Sequence, residues 1–163
     1  MKIPLGLIGG VVMAAWVLAA FGAGTQFTPT PAANAPTNTV NAVATYNSGV
    51  ALVHEKKYAE ALVDFQKAVA AKPDFAEAHN YLAYCLRREG PARYREALAH
   101  YNKAIQLKPD LAQAYEYRGV LFVKMNRKND AEKDLAHLQQ LDPKLASKLE
   151  YALKHNGQEL EGY

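Results

Sequence analysis

Five histidines and one cysteine are the residues of this chain best suited to proton transfer, metal ligation or nucleophilic attack. His54, His79, His100, His137 and His155 are scattered, with no i,i+4 pair and no carboxylate at ligand spacing, so a zinc site has nothing to build on. Cys85 follows Tyr84 with no visible partner base, and a thiol without one stays protonated and unreactive. A lone cysteine also excludes an intrachain disulfide framework. His79 and His137 therefore read as packing residues and Cys85 as a small buried hydrophobe. There is no phosphate loop and no dinucleotide fingerprint. The expectation is a protein that is not an enzyme, with no cofactor, no metal and no small-molecule substrate.

The elements that would carry any other chemistry divide at residue 55. The chain has 163 residues and a net charge of +3, and nothing charged lies between Lys2 and Glu55. Residues Ile3 to Ala23 form an uncharged apolar run long enough for a bilayer core, which takes about 20 helical residues. Ala20-Phe21-Gly22 is also an acceptable small-x-small cleavage site. Residues 1–24 are thus expected to be a transmembrane anchor or a signal peptide. With Lys2 and the amino terminus as the nearby positive charge, the N-terminus stays cytoplasmic and the rest crosses. The expected location is a bacterial inner membrane with the domain in the periplasm, or a soluble periplasmic protein after cleavage. Residues 25–41, with Pro29, Pro31 and Pro36 among Thr, Asn and Ala, read as a flexible linker.

From residue 42 onward one pattern recurs. Pro73, Pro109 and Pro143 are spaced by 36 and 34 residues. Ala61, Ala97 and Ala131 stand twelve residues before them, and Phe65, Tyr101 and Leu135 follow those alanines by four. Ala68, Ala104 and Leu138 come next, while Gly49, Ala83 and Gly119 mark the preceding helix, each with a large residue three positions on (Leu52, Leu86, Phe122). Small residues let two antiparallel helices approach, large ones fill the gap to the next hairpin, and proline ends one unit where the next begins. One such hairpin cannot bury its apolar face alone, so copies must stack.

These residues resemble the tetratricopeptide repeat, a 34-residue unit of two helices. The resemblance implies an all-α solenoid over 42–156: hairpins 42–75, 76–111 and 112–145, then a capping helix 144–156. Thr45 and His79 depart from the aromatic that Tyr115 keeps, Glu89 to Arg93 lengthens the turn of the middle unit by two residues, and Leu138 replaces a small residue. Residues 157–163 read as a frayed, mildly acidic tail.

In repeats of this kind the first helix of each hairpin lines a concave face. The resemblance then places Tyr46, Asn47 and Val50, Asn80, Tyr81, Tyr84 and Arg88, and Tyr117, Val120 and Lys124 along a partner-binding groove. Four of the ten tyrosines share that face, and tyrosine suits protein contacts because a large ring carries a hydroxyl. The carboxylate clamp of chaperone-binding repeats has no counterpart at Tyr46, Val50, Tyr81, Gln113 and Tyr117, so an apolar segment or a helix is the expected ligand. Arg87, Arg88, Arg93 and Arg95 suggest a basic turn, offset by Glu89 and Glu96, that faces solvent or meets an acidic partner or lipid headgroups. Nucleic acid is not expected at this net charge. The sequence points to a non-enzymatic, membrane-tethered adaptor for a protein partner. An accessory subunit or assembly factor of an inner-membrane complex, acting through 3–23, and a self-assembling scaffold are the alternatives.

Overall fold

The computed structural model describes residues 35–159, all within one compact unit. The anchor or signal expected at 1–24 and the first part of the linker lie outside the described residues, as does the tail beyond 159. Among the described residues no helix is long and apolar enough to cross a membrane.

Among the described residues seven α-helices follow one another: α1 (Ala35–His54), α2 (Tyr58–Ala71), α3 (Ala76–Glu89), α4 (Tyr94–Leu107), α5 (Ala112–Lys124), α6 (Lys128–Leu141) and α7 (Pro143–Lys154). The first correction is at the linker, whose last seven residues are helical. Pro36 does not prevent this, because it falls in the first turn of α1, where amides have no intrahelical acceptor. The lengthened middle turn is one turn of 3-10 helix, Pro91–Arg93.

Helices α1 and α2, α3 and α4, and α5 and α6 pair as hairpins, and each second helix also packs on the first helix of the next. The reason is visible in which side chains disappear from water. Ala61, Phe65 and Ala68 of α2, and Ala97, Tyr101 and Ala104 of α4, are buried at the i, i+4, i+7 spacing of one helix face. Alanine there allows close approach, and the ring at the centre fills the interior. Phe65 joins Leu82, Leu86, Tyr101 and Leu121 in one core, and burying such a side chain is worth about 1.5–3 kcal/mol. In α6 the buried face holds Ala131, Asp134 and Leu138, at i, i+3 and i+7. Asp134 is tolerated because Arg118 of α5 donates to both its oxygens, at 3.0 and 2.6 Å. The same guanidinium donates to Asn102 of α4 at 2.8 Å, tying three helices together.

Helix α7 covers the last apolar face, with Leu149 and Ala152 packed on Tyr115, Val120 and Leu138. Its start is well specified: Pro143 needs no hydrogen bond, and the Asp142 carboxylate accepts from the Lys144 and Leu145 amides at 2.9 and 3.2 Å. Such a cap contributes about 1 kcal/mol.

His79 is a packing residue, and its tautomer follows from its neighbours. Its Nε2 lies 3.0 Å from the Pro73 carbonyl, which can only accept, so Nε2 carries the proton. Nδ1 of His79 then accepts from Nδ1–H of His100, 2.9 Å away on α4. Burial lowers the pKa of both imidazoles. His137, by contrast, is exposed, with its ring against Tyr115 at a centroid distance of 4.4 Å. Cys85 is fully buried and burial pushes its thiol up to about 12, which keeps it an inert hydrophobe.

Candidate functional site

The inner faces of α3 and α5 meet α7 around an open groove of about 900 Å³. Tyr84 and Arg88 come from α3; Gln113, Glu116, Tyr117, Val120 and Lys124 come from α5; Leu145 and Lys148 come from α7. Val53 and His54 close one end from α1. The floor is aromatic, with the rings of Tyr84 and Tyr117 at 5.0 Å between centroids, and Tyr84 also meeting Tyr58 at 5.9 Å. Burial is the main reason the Tyr84 and Tyr117 hydroxyls are hard to ionise, Tyr84 being pushed up to about 12. They are neutral rings with a hydroxyl donor, apt for holding apolar and amide groups.

The expected groove residues separate into two sets. Tyr84, Arg88, Tyr117, Val120 and Lys124 line the groove. Tyr46 and Tyr81 do not: they are half-buried between the first two hairpins, where Tyr46 contacts Phe65, Phe75 and Tyr81 at centroid distances of 5.8, 4.9 and 5.8 Å. Phe65 stacks on Tyr81 at 5.4 Å. These rings serve as inter-hairpin packing. Val50 packs against the same core. Asn47 is exposed on α1, outside the groove lining.

Asn80 is not available to a ligand at all, being 1% exposed, and neither of its side-chain polar atoms has a partner among the described residues. A buried amide without hydrogen bonds costs about 1–3 kcal/mol. Asn80→Leu, of similar volume, should therefore raise stability by about 1 kcal/mol, read as a higher urea midpoint at unchanged slope.

The expected basic turn is the second correction. Arg87 points inward with its side chain fully buried, Arg93 pairs with Glu96 at 3.0 Å and Glu89 at 3.6 Å, and only Arg88 and Arg95 remain exposed. The turn is thus a solvent-facing edge in which Arg93 is paired and Arg88 and Arg95 stay exposed.

Arg87 finds its partner in the segment read as a frayed tail. Its Nη1 and Nη2 donate to the two oxygens of Glu159 at 2.5 and 2.9 Å, and its Nε donates to the Tyr101 hydroxyl at 3.4 Å. Its guanidinium also lies 5.2 Å from the Tyr84 ring centre. Burial alone would raise the Glu159 pKa, but the two Arg87 donors outweigh it and hold the carboxyl below its usual value. The chain reaches this point because α7 ends in a left-handed turn, with Asn156 at φ 53° and Gly157 at φ 81°. The Gly157 amide donates back to the Ala152 carbonyl at 2.7 Å, and a Cβ there would stand 2.9 Å from Cγ of Lys124. Gly157 was legible as a helix end; that the chain then turns into the groove was not.

Glu116 is the other charged group of the groove. It is 7% exposed, and burial is the main reason its carboxyl is pushed up to about 7, with Lys148 pulling the other way. A carboxyl whose folded pKa exceeds its unfolded one stabilises below the unfolded value and loses that contribution as pH rises through the folded one. Glu116→Gln should accordingly leave stability unchanged at pH 4 and raise it at pH 8, by ~3 kcal/mol at most. Unfolding curves at the two pH values would show it. Among the described residues no cluster of three or more His, Cys, Asp and Glu could hold a metal ion.

With the geometry in hand, comparison with known proteins is informative. Residues 42–75 match a profile described as tetratricopeptide repeat, and residues 93–126 match one described as TPR repeat. The second match spans α4 and α5, half a unit out of step with the hairpins, as expected where one second helix packs on the next first helix. No curated protein matches the sequence. Among solved structures, the Arabidopsis OM64 TPR domain is similar at 20% identity and a TM-score of 0.66, covering 72% of this chain and 98% of that one. The first TPR of Spaghetti (RPAP3), bound to HSP90 peptide SRMEEVD, is similar at 20% identity and 0.64, covering 74% and 96%. The TPR2B domain of yeast Sti1, in a complex with pHsp70, is similar at 18% and 0.64, covering 73% and 98%. At these identities the likeness establishes the fold. The described residues form an all-α stack of three helical hairpins with a capping helix, and two stretches of it, 42–75 and 93–126, match tetratricopeptide-repeat profiles.

Proposed function

We propose that this protein is a non-enzymatic adaptor that holds a segment of a partner protein in the groove between α3, α5 and α7. One observation carries the reading: an open, aromatic-floored concavity of about 900 Å³ whose lining mixes rings, aliphatic side chains and exposed cations. That composition matches what peptide-recognition surfaces need, an apolar floor for area and a few charged groups for orientation. Two of the similar structures are themselves complexes, one with a peptide of HSP90 and one with pHsp70.

The adaptor is tethered to a membrane by residues 3–23 and works in the periplasm; the support is the uncharged run Ile3 to Ala23, preceded by Lys2. A second reading, a subunit or assembly factor of an inner-membrane complex, is favoured by Gly6, Gly9 and Gly10, which permit close helix approach within that run. Exchanging the run for an unrelated one of equal length separates the two, since only the subunit would be lost from its complex.

The groove is tested by replacing both Tyr84 and Tyr117 with alanine in the full chain. Recovery of the partner protein should fall at least 10-fold, a loss on the scale of two hot-spot side chains, while cooperative unfolding persists. Val63→Ala with Leu141→Ala, both exposed outside the groove, should leave recovery unchanged. Equal recovery by the tyrosine variant would sink the proposal.

A further inference from the structure

We infer that the cationic end of the groove is a carboxylate-binding site, occupied in cis by Glu159, and that its partner is an acidic peptide that displaces the tail. This rests on the reading of the groove as the binding surface and names the chemistry of its ligand.

Three cations converge on one carboxylate. Arg87 holds Glu159 with two parallel hydrogen bonds, Arg88 stands 4.0 Å from the same oxygen, and Lys124 lines both the groove and a smaller cavity of about 230 Å³ shared with Arg87, Arg88 and Glu159. The Glu159 charge therefore leaves the site net positive. Arg87 is also fixed: it projects from the middle hairpin, fully buried, and has no other carboxylate among the described residues. A buried guanidinium needs a counter-charge, and a planar fork selects a carboxylate.

The occupant, in contrast, is loosely held. After α7 ends at Lys154 the segment has three backbone bonds, His155 to Tyr151, Gly157 to Ala152 and Gln158 to His155, and then the Glu159 side chain itself. An incoming carboxylate makes the same two hydrogen bonds to Arg87 that Glu159 gives up, so the exchange conserves charge pairing. What favours the incoming chain is apolar area, since the part-exposed Val53 and Leu145 line the groove beyond the cations. Glu116 lines that side as well. The ligand is thus an acidic residue flanked by apolar ones.

The probe is a capped peptide of alternating leucine and glutamate, labelled with a fluorophore and titrated with the full chain; its glutamine counterpart is the control. Glu159→Gln should bind the acidic probe at least 10-fold tighter than the unsubstituted chain, and the glutamine probe no tighter. Arg88→Gln with Lys124→Gln, two exposed changes that leave the core alone, should remove the gain. On the unsubstituted chain, the acidic probe should speed exchange of the Gly157 amide. Equal affinity in the two chains, equal affinity for the two probes, or no binding by Glu159→Gln would overturn the inference. Equal affinity that is still lost in the Tyr84 and Tyr117 alanine variant would spare the groove and remove only the role of the tail.

Discussion

Glu159→Ala, a substitution five residues beyond the last helix, should destabilise the full chain by about 2–4 kcal/mol, an effect normally reserved for core positions. Tail residues generally cost nothing when changed, because they are hydrated on both sides of the folding equilibrium. Glu159 differs because of what it leaves behind. Arg87 is anchored on α3 with its side chain out of contact with solvent, so removing the carboxylate strands a cation. Breaking a buried pair costs about 3–5 kcal/mol, lowered here because Glu159 is itself 23% exposed and water can follow the departing tail. The reciprocal change should cost less. In Arg87→Met the tail is free to leave and Glu159 regains its hydration, so the loss is mainly the Tyr101 hydrogen bond, about 1 kcal/mol. This asymmetry separates a stranded charge from a mere lost contact. Urea unfolding of both variants measures it, and equal losses would contradict it. The pH dependence has a definite sign. The Glu159 carboxyl lies below its ordinary 4.5, so the stabilisation is present above that value and is lost as pH falls through the folded one.

Leu149→Ala should cost about 2–5 kcal/mol, because the side chain is fully buried at the contact of α7 with α5. The partner of Leu149 across that contact is a missing side chain. A Cβ on Gly119 would stand 2.8 Å from Cδ1 of Leu149 and would also meet its Cδ2. Gly119→Ala alone gains roughly 1 kcal/mol of helix propensity but pays about 1–3 kcal/mol for the clash, since a buried Leu149 has no free space to turn into. The net result is a loss. With Leu149 already alanine, the same Cβ fills part of the cavity, so Gly119→Ala becomes neutral or stabilising. The two changes should couple by about 1–3 kcal/mol in a double-mutant cycle. Additive losses would mean that α7 does not seat against Gly119.

Most of the fold was legible because repetition restates each instruction. Ala61, Ala97 and Ala131 are all fully buried, and Gly49, Ala83 and Gly119 are buried on the first helix of each hairpin. A pattern repeated in phase averages out the local ambiguity of any single helix. The start of α1 escaped this logic, since Ala35 to Asn41 precedes the first repeat and carries only the weak signal of Pro36.

The groove was half legible for a different reason. Phase tells which helix faces inward, but not which of its neighbours is close enough to cover a side chain. Tyr84 and Tyr117 meet across α3 and α5, whereas Tyr46 and Tyr81 are taken up by Phe65 and Phe75. Arg87 follows the same rule: surface charge in the sequence, it is buried because Tyr101 and Glu159 each offer an oxygen from far along the chain. Pairings at a separation of 72 residues leave no local trace.

The most direct test of the groove as the binding site is in-cell photocrosslinking of the full chain, with a photoreactive residue at position 88 on the groove and, separately, at position 63 outside it. The expected result is one foreign protein joined from position 88, absent from position 63, and lost when Tyr84 and Tyr117 are alanine. Adducts from position 63 with none from position 88 would contradict it, as would adducts from position 88 that survive the tyrosine changes.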